Sequence, residues 1–212
     1  MSPTLFSLLL KEQNLTTWEV FAGVRDTGVF VVMGDEIHAA RHVRKMHTTS
    51  PAAFASPATG PVGHLVEGTV RLRHPLKRTA PVALPLTPES TPVEVAVVTA
   101  SLGSSGILLE GLEGRVTGLV VAAFGVGHVP QTWVPRLAFL AEAMPVVLAS
   151  RIGTGPVLTS TYAFPGSESD LLAHGLIAAG PLDPYKARLV LAAHLAAGTP
   201  REAIAKAFLD YA

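Results

Sequence analysis

Apolar and polar positions fall into two regimes along the chain. In the first, the order is irregular. Leu15, Trp18, Val20 and Phe21 are spaced for a helix over 14–23, which Thr27-Gly28 ends. The run GVFVVM, 28–33, is continuous, β-branched and aromatic, and predicts a strand buried on both faces, as in a parallel sheet. Gly34-Asp35 signals a turn, and GPVGHLVEGTVRLRH, 60–74, predicts a hairpin turning at Glu67-Gly68. Residues 1–10 carry no clear period.

From 75 to 92 five prolines interrupt the pattern, which excludes a helix or a central strand and predicts an extended linker. The second regime follows. VEVAVVTA (93–100), VTGLVVAAF (116–124) and PVVLAS (145–150) predict strands. SSGILLEGLEG (104–114) and QTWVPRLAFLAEA (131–143) predict helices, with Pro135 in the first turns of the second. Strands alternating with helices predict βαβ units and a parallel sheet. Asp183-Pro184 predicts an N-cap and first helical residue, and Thr199 to Glu202 has capping-box spacing before a last helix. The expected organisation is therefore a first domain over 1–75, a linker over 76–92 and a second domain over 93–212.

Composition narrows the chemistry. Of 212 residues, 49% are hydrophobic, enough for real cores, and 16 cations balance 16 anions. A neutral chain has no field to gather nucleic acid or anionic lipid, so neither is expected as a partner. The absence of cysteine excludes disulfides, thiol catalysis and thiolate metal sites. TLFSLLL near the start lacks a basic lead-in and a cleavage site, and no apolar run is long enough to span a bilayer, so the expected location is cytoplasmic.

The chemistry concentrates in MGDEIHAARHVRKMHTTSP, 33–51. His38 and His42 stand four apart, but no third ligand is apparent, H-E-x-x-H is absent, and Arg41, Arg44 and Lys45 repel a cation; no metal is expected, and both histidines read as partly exposed polar residues. A threonine hydroxyl, by contrast, needs a base to become a nucleophile, and a lysine serves when burial or neighbouring cations favour its neutral form. Strict alternation along 36–45 puts Lys45 on the face of Ile37, Ala39 and Val43, pointing inward beside Arg41 and Arg44.

The run VVMGDEIHAARHVRKMHTT, followed by FASP and GPVGHLVEG, resembles the bacterial L-asparaginase (asparaginase/glutaminase) family, in which a lysine in an A-R-x-V-x-K-x-H-T-T segment is catalytic. VVAAFGVGHVP, PVVLASRIGTGPV and GLIAAGPLDPYKARLVLAAHLA resemble three later family segments, in order. The resemblance implies an α/β protein: part of an N-terminal α/β domain plus a smaller, flavodoxin-like parallel-sheet C-terminal domain. It implies hydrolysis of asparagine, or of glutamine, through a threonine nucleophile and an acyl-enzyme, with no cofactor. It also implies a homo-oligomer, an intimate dimer or a tetramer. Lys45 is the implied catalytic base, with Thr48 and Thr49 as support for its segment. His128, after Gly127 in the glycine loop, stands where the family has a substrate-facing asparagine, and Tyr162 where some members have a glutamate; Glu168 lies close by in sequence. Gly125 and Gly127 are expected to supply unusual backbone angles, and Arg151, Lys186 and Arg188 to hold structure. The family's Thr-Gly-Gly-Thr-Ile and Gly-Thr-Asp-Thr segments are not among these residues. The chain therefore reads as the C-terminal portion of the family, inactive alone, with a separate N-terminal portion as a possible partner and a first domain of poor stability. The alternative reading is a non-catalytic dimerisation or small-molecule-binding α/β module.

Overall fold

The computed structural model describes residues 28–73, 81–84 and 93–211. The helix expected over 14–23 lies outside the described residues, as does most of the proline-rich stretch. The chain divides into two compact units, Met1–Ala80 and Pro81–Ala212.

The first unit is built from antiparallel strands. β1 (Phe30–Met33) pairs with β2 (Glu36–Ala39) through a two-residue turn in which Gly34 and Asp35 both have positive φ, 58° and 61°. This is the turn whose twist matches that of the flanking strands. β3 (Arg44–Lys45) pairs with β4 (Phe54–Ala55) in a separate ribbon. β5 (Gly63–Val66) and β6 (Thr69–Leu72) form the expected hairpin, turning at Glu67-Gly68. The four-stranded sheet runs β1-β2-β5-β6. Its core is small: Ile37, Ala39, Val62 and Leu65 are buried, with Phe30, Val32 and Val70 packed against them.

The strand at 28–33 therefore differs from expectation. It is antiparallel, and all four residues of β1 are half-buried. A continuous apolar run does not distinguish a two-sided central strand from an edge strand whose outer face is simply apolar.

The second unit is a four-stranded parallel sheet. β7 (Val95–Thr99), β8 (Gly118–Ala123), β9 (Val146–Ser150) and β10 (Ile177–Ala178) lie side by side in chain order. Every residue of β8 and β9 is buried, as both faces are covered. On one face Leu119, Val121, Val146 and Leu148 pack with Leu109, Trp133 and residues of α1 (Val134–Ala143) and α2 (Glu168–Ala173). On the other, Val120, Val147, Ala149 and Ile177 pack with α3 (Pro184–Ala196) and α4 (Arg201–Leu209). All three strand-to-strand connections contribute to the first face, so the sheet grows in one direction and the two last helices close the second. The fold is mixed α/β, with one parallel sheet in the C-terminal unit.

Several local expectations need correction. Residues 104–114 form only a 3-10 turn, Ile107–Leu109, because Gly103, Gly106, Gly111 and Gly114 all hold positive φ. The capping box before α4 is not made: Pro200 is the N-cap, with no side-chain bond, and Thr199 Oγ1 lies 3.2 Å from His194 Nδ1 instead. α2 and β10 were not anticipated. The α3 start is as read, Asp183 accepting from the N–H groups of Tyr185 and Lys186. No helix among the described residues is long and apolar enough to cross a membrane.

Candidate functional site

In the first unit the polar stretch is dispersed by a turn. β2 stops at Ala39, where the Ala39 carbonyl accepts from the N–H groups of both His42 and Val43. That turn breaks the alternation which placed Lys45 with Ile37 and Ala39. Lys45 is exposed, paired in register with Phe54, and does not point inward. Thr48 and Thr49 are exposed too. Their loop is folded around an imidazole: His47 Nδ1 accepts from Thr49 N at 3.1 Å and Ser50 N at 2.9 Å.

His38 is also corrected. It is 1% exposed, not half-open, with Nδ1 3.0 Å from Ser56 Oγ and Nε2 3.2 Å from Glu36 Oε2. The Nε2 contact falls within ion-pair range but lacks hydrogen-bond geometry, so the nitrogen is an orphan. Burial lowers the His38 pKa below its ordinary value, and the Glu36 carboxylate only partly offsets this. Arg41 Nε donates to His42 Nε2 at 3.0 Å, which keeps that nitrogen from a cation. Among the described residues no group of three or more His, Asp or Glu side chains could hold a metal ion.

The second unit gathers its polar side chains at the carboxyl ends of β8 and β9. β8 runs into a tight loop in which Phe124 and His128 exchange backbone hydrogen bonds, each 2.9 Å. Gly125 and Gly127 make the reversal at φ 46° and 122°. A Cβ on Gly127 would meet Val157, Glu168 and Leu148, so glycine is what lets the loop lie on these buried residues. The loop is tied on both sides, by Leu158 N to Val126 O at 3.0 Å and Val129 N to Gly166 O at 2.9 Å. At the end of β9, Ser150 Oγ donates to Gly125 O at 2.5 Å and accepts from Ile152 N. Arg151 donates to Ala100 O and lies over the Phe124 ring at 4.2 Å; Arg188 donates to Val95 O. Both arginines hold backbone, as expected.

The centre of this cluster is Glu168, the first residue of α2, with no solvent exposure. Its Oε1 accepts from Thr161 N at 3.0 Å and Tyr162 N at 2.7 Å, and its Oε2 faces His128 Nε2 at 3.0 Å. Burial alone would raise the carboxyl pKa. The bonds from Tyr162 N–H, its own N–H, His128 and Thr161 N–H outweigh that and hold it below the ordinary carboxylate range. The His128 ring meets Tyr162 and Phe164 edge-on, at centroid distances of 5.0 and 4.9 Å. Tyr162 and Phe164 are both nearly half exposed. The structure thus brings together Gly127, His128 and Tyr162, while Lys45, Thr48 and Thr49 belong to the other unit. Sequence reading missed Glu168 as the organiser. The available signal was Ser167-x-x-Asp170, helix-start spacing: Ser167 caps α2 by accepting from Asp170 N.

Comparison with known proteins agrees with this architecture. Residues 94–208 match the model of the glutaminase/asparaginase C-terminal domain, and residues 12–78 match that of the asparaginase N-terminal domain. A probable L-asparaginase of Deinococcus radiodurans is 36% identical over 184 residues, covering 85% of this chain and 55% of the relative. L-asparaginase 2 of Escherichia coli is 29% identical over 188 residues, covering 87% and 52%. One subunit of the glutamyl-tRNA(Gln) amidotransferase of Methanosarcina acetivorans is 32% identical over 131 residues, covering 60% and 31%. The chain spans about half the length of the two asparaginases. Since the C-terminal match covers more than half of the 212 residues and the N-terminal match precedes it in the family's order, the chain belongs to the glutaminase/asparaginase family.

Proposed function

We propose that the chain forms part of an asparaginase-type amidohydrolase, which converts L-asparagine and water to L-aspartate and ammonia, with L-glutamine as the alternative substrate. Membership across both family domains is the observation that carries this reading. In such an enzyme a threonine oxygen attacks the side-chain amide carbon, ammonia leaves, and water hydrolyses the resulting ester. On this reading Lys45 is the base that takes the hydroxyl proton, Thr48 and Thr49 support its segment, and Gly127, His128 and Tyr162 are substrate-binding or interface residues.

The 212 residues contain neither Thr-Gly-Gly-Thr nor Gly-Thr-Asp-Thr. On this reading a separate N-terminal portion supplies the nucleophile, and the chain alone is inactive. The assembly is a cytoplasmic homo-oligomer, an intimate dimer or a tetramer. No cofactor takes part. The similarity to one subunit of an amidotransferase supports a partner polypeptide as a feature some relatives share.

A second reading is a non-catalytic α/β module. It is favoured by the sheet of the second unit, which is already covered on both faces, and by the exposed Lys45. Ammonia release from L-asparagine by the purified chain, with and without a supplied N-terminal portion, separates the two. Release only with the supplement supports the hydrolase. No release in either case, with the supplement shown to bind, supports the module. Release without it means these residues carry a nucleophile of their own.

A further inference from the structure

We propose that Glu168 is a positioning residue: it fixes His128 in the tautomer protonated at Nε2, leaving Nδ1 as an acceptor for an N–H group of a ligand. The ligand class, an ammonium or carboxamide of an amino-acid amide, rests on the asparaginase reading; the tautomer does not.

The proton assignment follows from counting donors. Glu168 is fully buried, and two backbone N–H groups already point at Oε1. An ionised carboxylate only accepts hydrogen bonds, so the hydrogen in the 3.0 Å contact between Oε2 and His128 belongs to Nε2. The direction of the Glu168 pKa, below its ordinary value, agrees with an ionised group. A neutral imidazole protonated at Nε2 has its lone pair on Nδ1.

The rest of the geometry keeps the ring in that orientation. The backbone of His128 is pinned to Phe124 by two hydrogen bonds. Tyr162 and Phe164 touch the ring edge-on, with interplanar angles of 87° and 71°. The Nδ1 atom makes no hydrogen bond to any described residue, and it is not among the buried atoms without a partner. The side chain as a whole is 25% exposed. One nitrogen is therefore anchored in the interior and the other is open to solvent, at the carboxyl end of a parallel sheet.

Nuclear magnetic resonance of the full chain with ¹⁵N-labelled histidine tests this at about pH 8, above the ordinary imidazole range. His128→Asn assigns the resonances. Wild-type His128 is expected to show a protonated Nε2 and a lone-pair Nδ1. In Glu168→Gln the amide oxygen still accepts the two N–H groups, but the amide nitrogen donates to Nε2, so the two ring shifts exchange places. Glu168→Asp keeps a charged acceptor and keeps the wild-type pattern. A wild-type ring protonated at Nδ1, or averaging between tautomers, overturns the proposal, as does an unchanged pattern in a folded Glu168→Gln protein. Should Glu168→Gln fail to fold, the wild-type spectrum still decides. Titration of the supplemented chain with L-asparagine is expected to move the Nδ1 shift; a saturated, active assembly with Nδ1 unmoved overturns the acceptor role. A fixed tautomer in a supplemented chain that releases no ammonia removes the asparaginase reading and leaves the positioning intact.

Discussion

Gly127 and Gly125 allow steric and backbone costs to be separated within one loop. At Gly127 a Cβ would lie 2.9 Å from Val157 Cγ1 and 3.2 Å from both Glu168 Cβ and Leu148 Cδ2. All three neighbours are buried, so none can move aside into solvent. Two costs add for Gly127→Ala: about 1–3 kcal/mol for a side chain at φ 122°, and about 1–3 kcal/mol for overpacking. At Gly125, with φ 46° and no atom within 4 Å of a built Cβ, only the left-handed backbone cost remains, about 1–2 kcal/mol. The entropy that alanine removes from the unfolded chain is common to both and cancels in the comparison. The two backbone costs overlap and largely cancel, which leaves the overpacking: Gly127→Ala is expected to be less stable than Gly125→Ala by roughly 1–3 kcal/mol, a Tm gap of about 2–12 °C for a chain of this size. Urea unfolding followed by tryptophan fluorescence measures it, in a Trp18→Phe background so that the signal comes from Trp133. Equal m-values validate the comparison. If the two variants match within about 0.5 kcal/mol, the uncertainty scale of such comparisons, the close approach of the loop to Glu168 is wrong.

Three further predictions follow from buried groups. Trp133 is 1% exposed and donates to Ser104 O, so Trp133→Ala is expected to cost about 3–5 kcal/mol in chemical denaturation; a loss under 1 kcal/mol, about the cost of a lone hydrogen bond, would refute its place in the core. Glu168 has its folded pKa depressed below the ordinary 4.5, so its stabilisation is present above that pH and lost as pH falls through the lower folded value. Stability profiles should accordingly show a shallower acid limb for Glu168→Gln than for wild type, and parallel limbs would contradict the hydrogen-bonded carboxylate. His38 is likewise depressed, from 6.5, chiefly by burial, so the first unit is expected to lose stability as pH drops below 6.5 and through the folded value; amide protection factors of β2 and β5, taken relative to intrinsic exchange at each pH and compared with His38→Asn, read this, and protection that does not fall with pH would refute it.

Legibility in the sequence tracked the range of the interactions involved. The three long strands of the second unit, the Asp183 cap and the Glu67-Gly68 hairpin rest on local periodicity and turn chemistry, and they were readable. The helix over 104–114 was not formed, although its apolar spacing suits one. Gly106 must sit at φ 87°, where a Cβ would come within 2.9 Å of Trp133, a residue 27 positions away. The direction of Lys45 failed for a simpler reason. Period-two reasoning holds only while a strand continues, and the turn at 40–42 reset it. α2 and β10 are six and two residues long, too short for any period to register.

Glu168 was the costliest omission, and it illustrates what a family resemblance leaves open. Position-by-position matching puts His128 where the family has a substrate-facing asparagine and Tyr162 where some members have a glutamate, and the Tyr162 side chain does stand at the surface beside His128. The matching could not show that the carboxylate six residues later is turned inward, satisfied by the Thr161 and Tyr162 N–H groups, and joined to an imidazole 40 positions upstream. A histidine alone at that loop would be free to present either nitrogen. A histidine backed by a buried carboxylate presents one, and so the hydrogen-bonding sense of the site is set from beneath. In the second unit the candidate site is preorganised by residues of the unit itself: two backbone N–H groups hold the carboxylate, the carboxylate holds the imidazole, and two aromatic rings flank it.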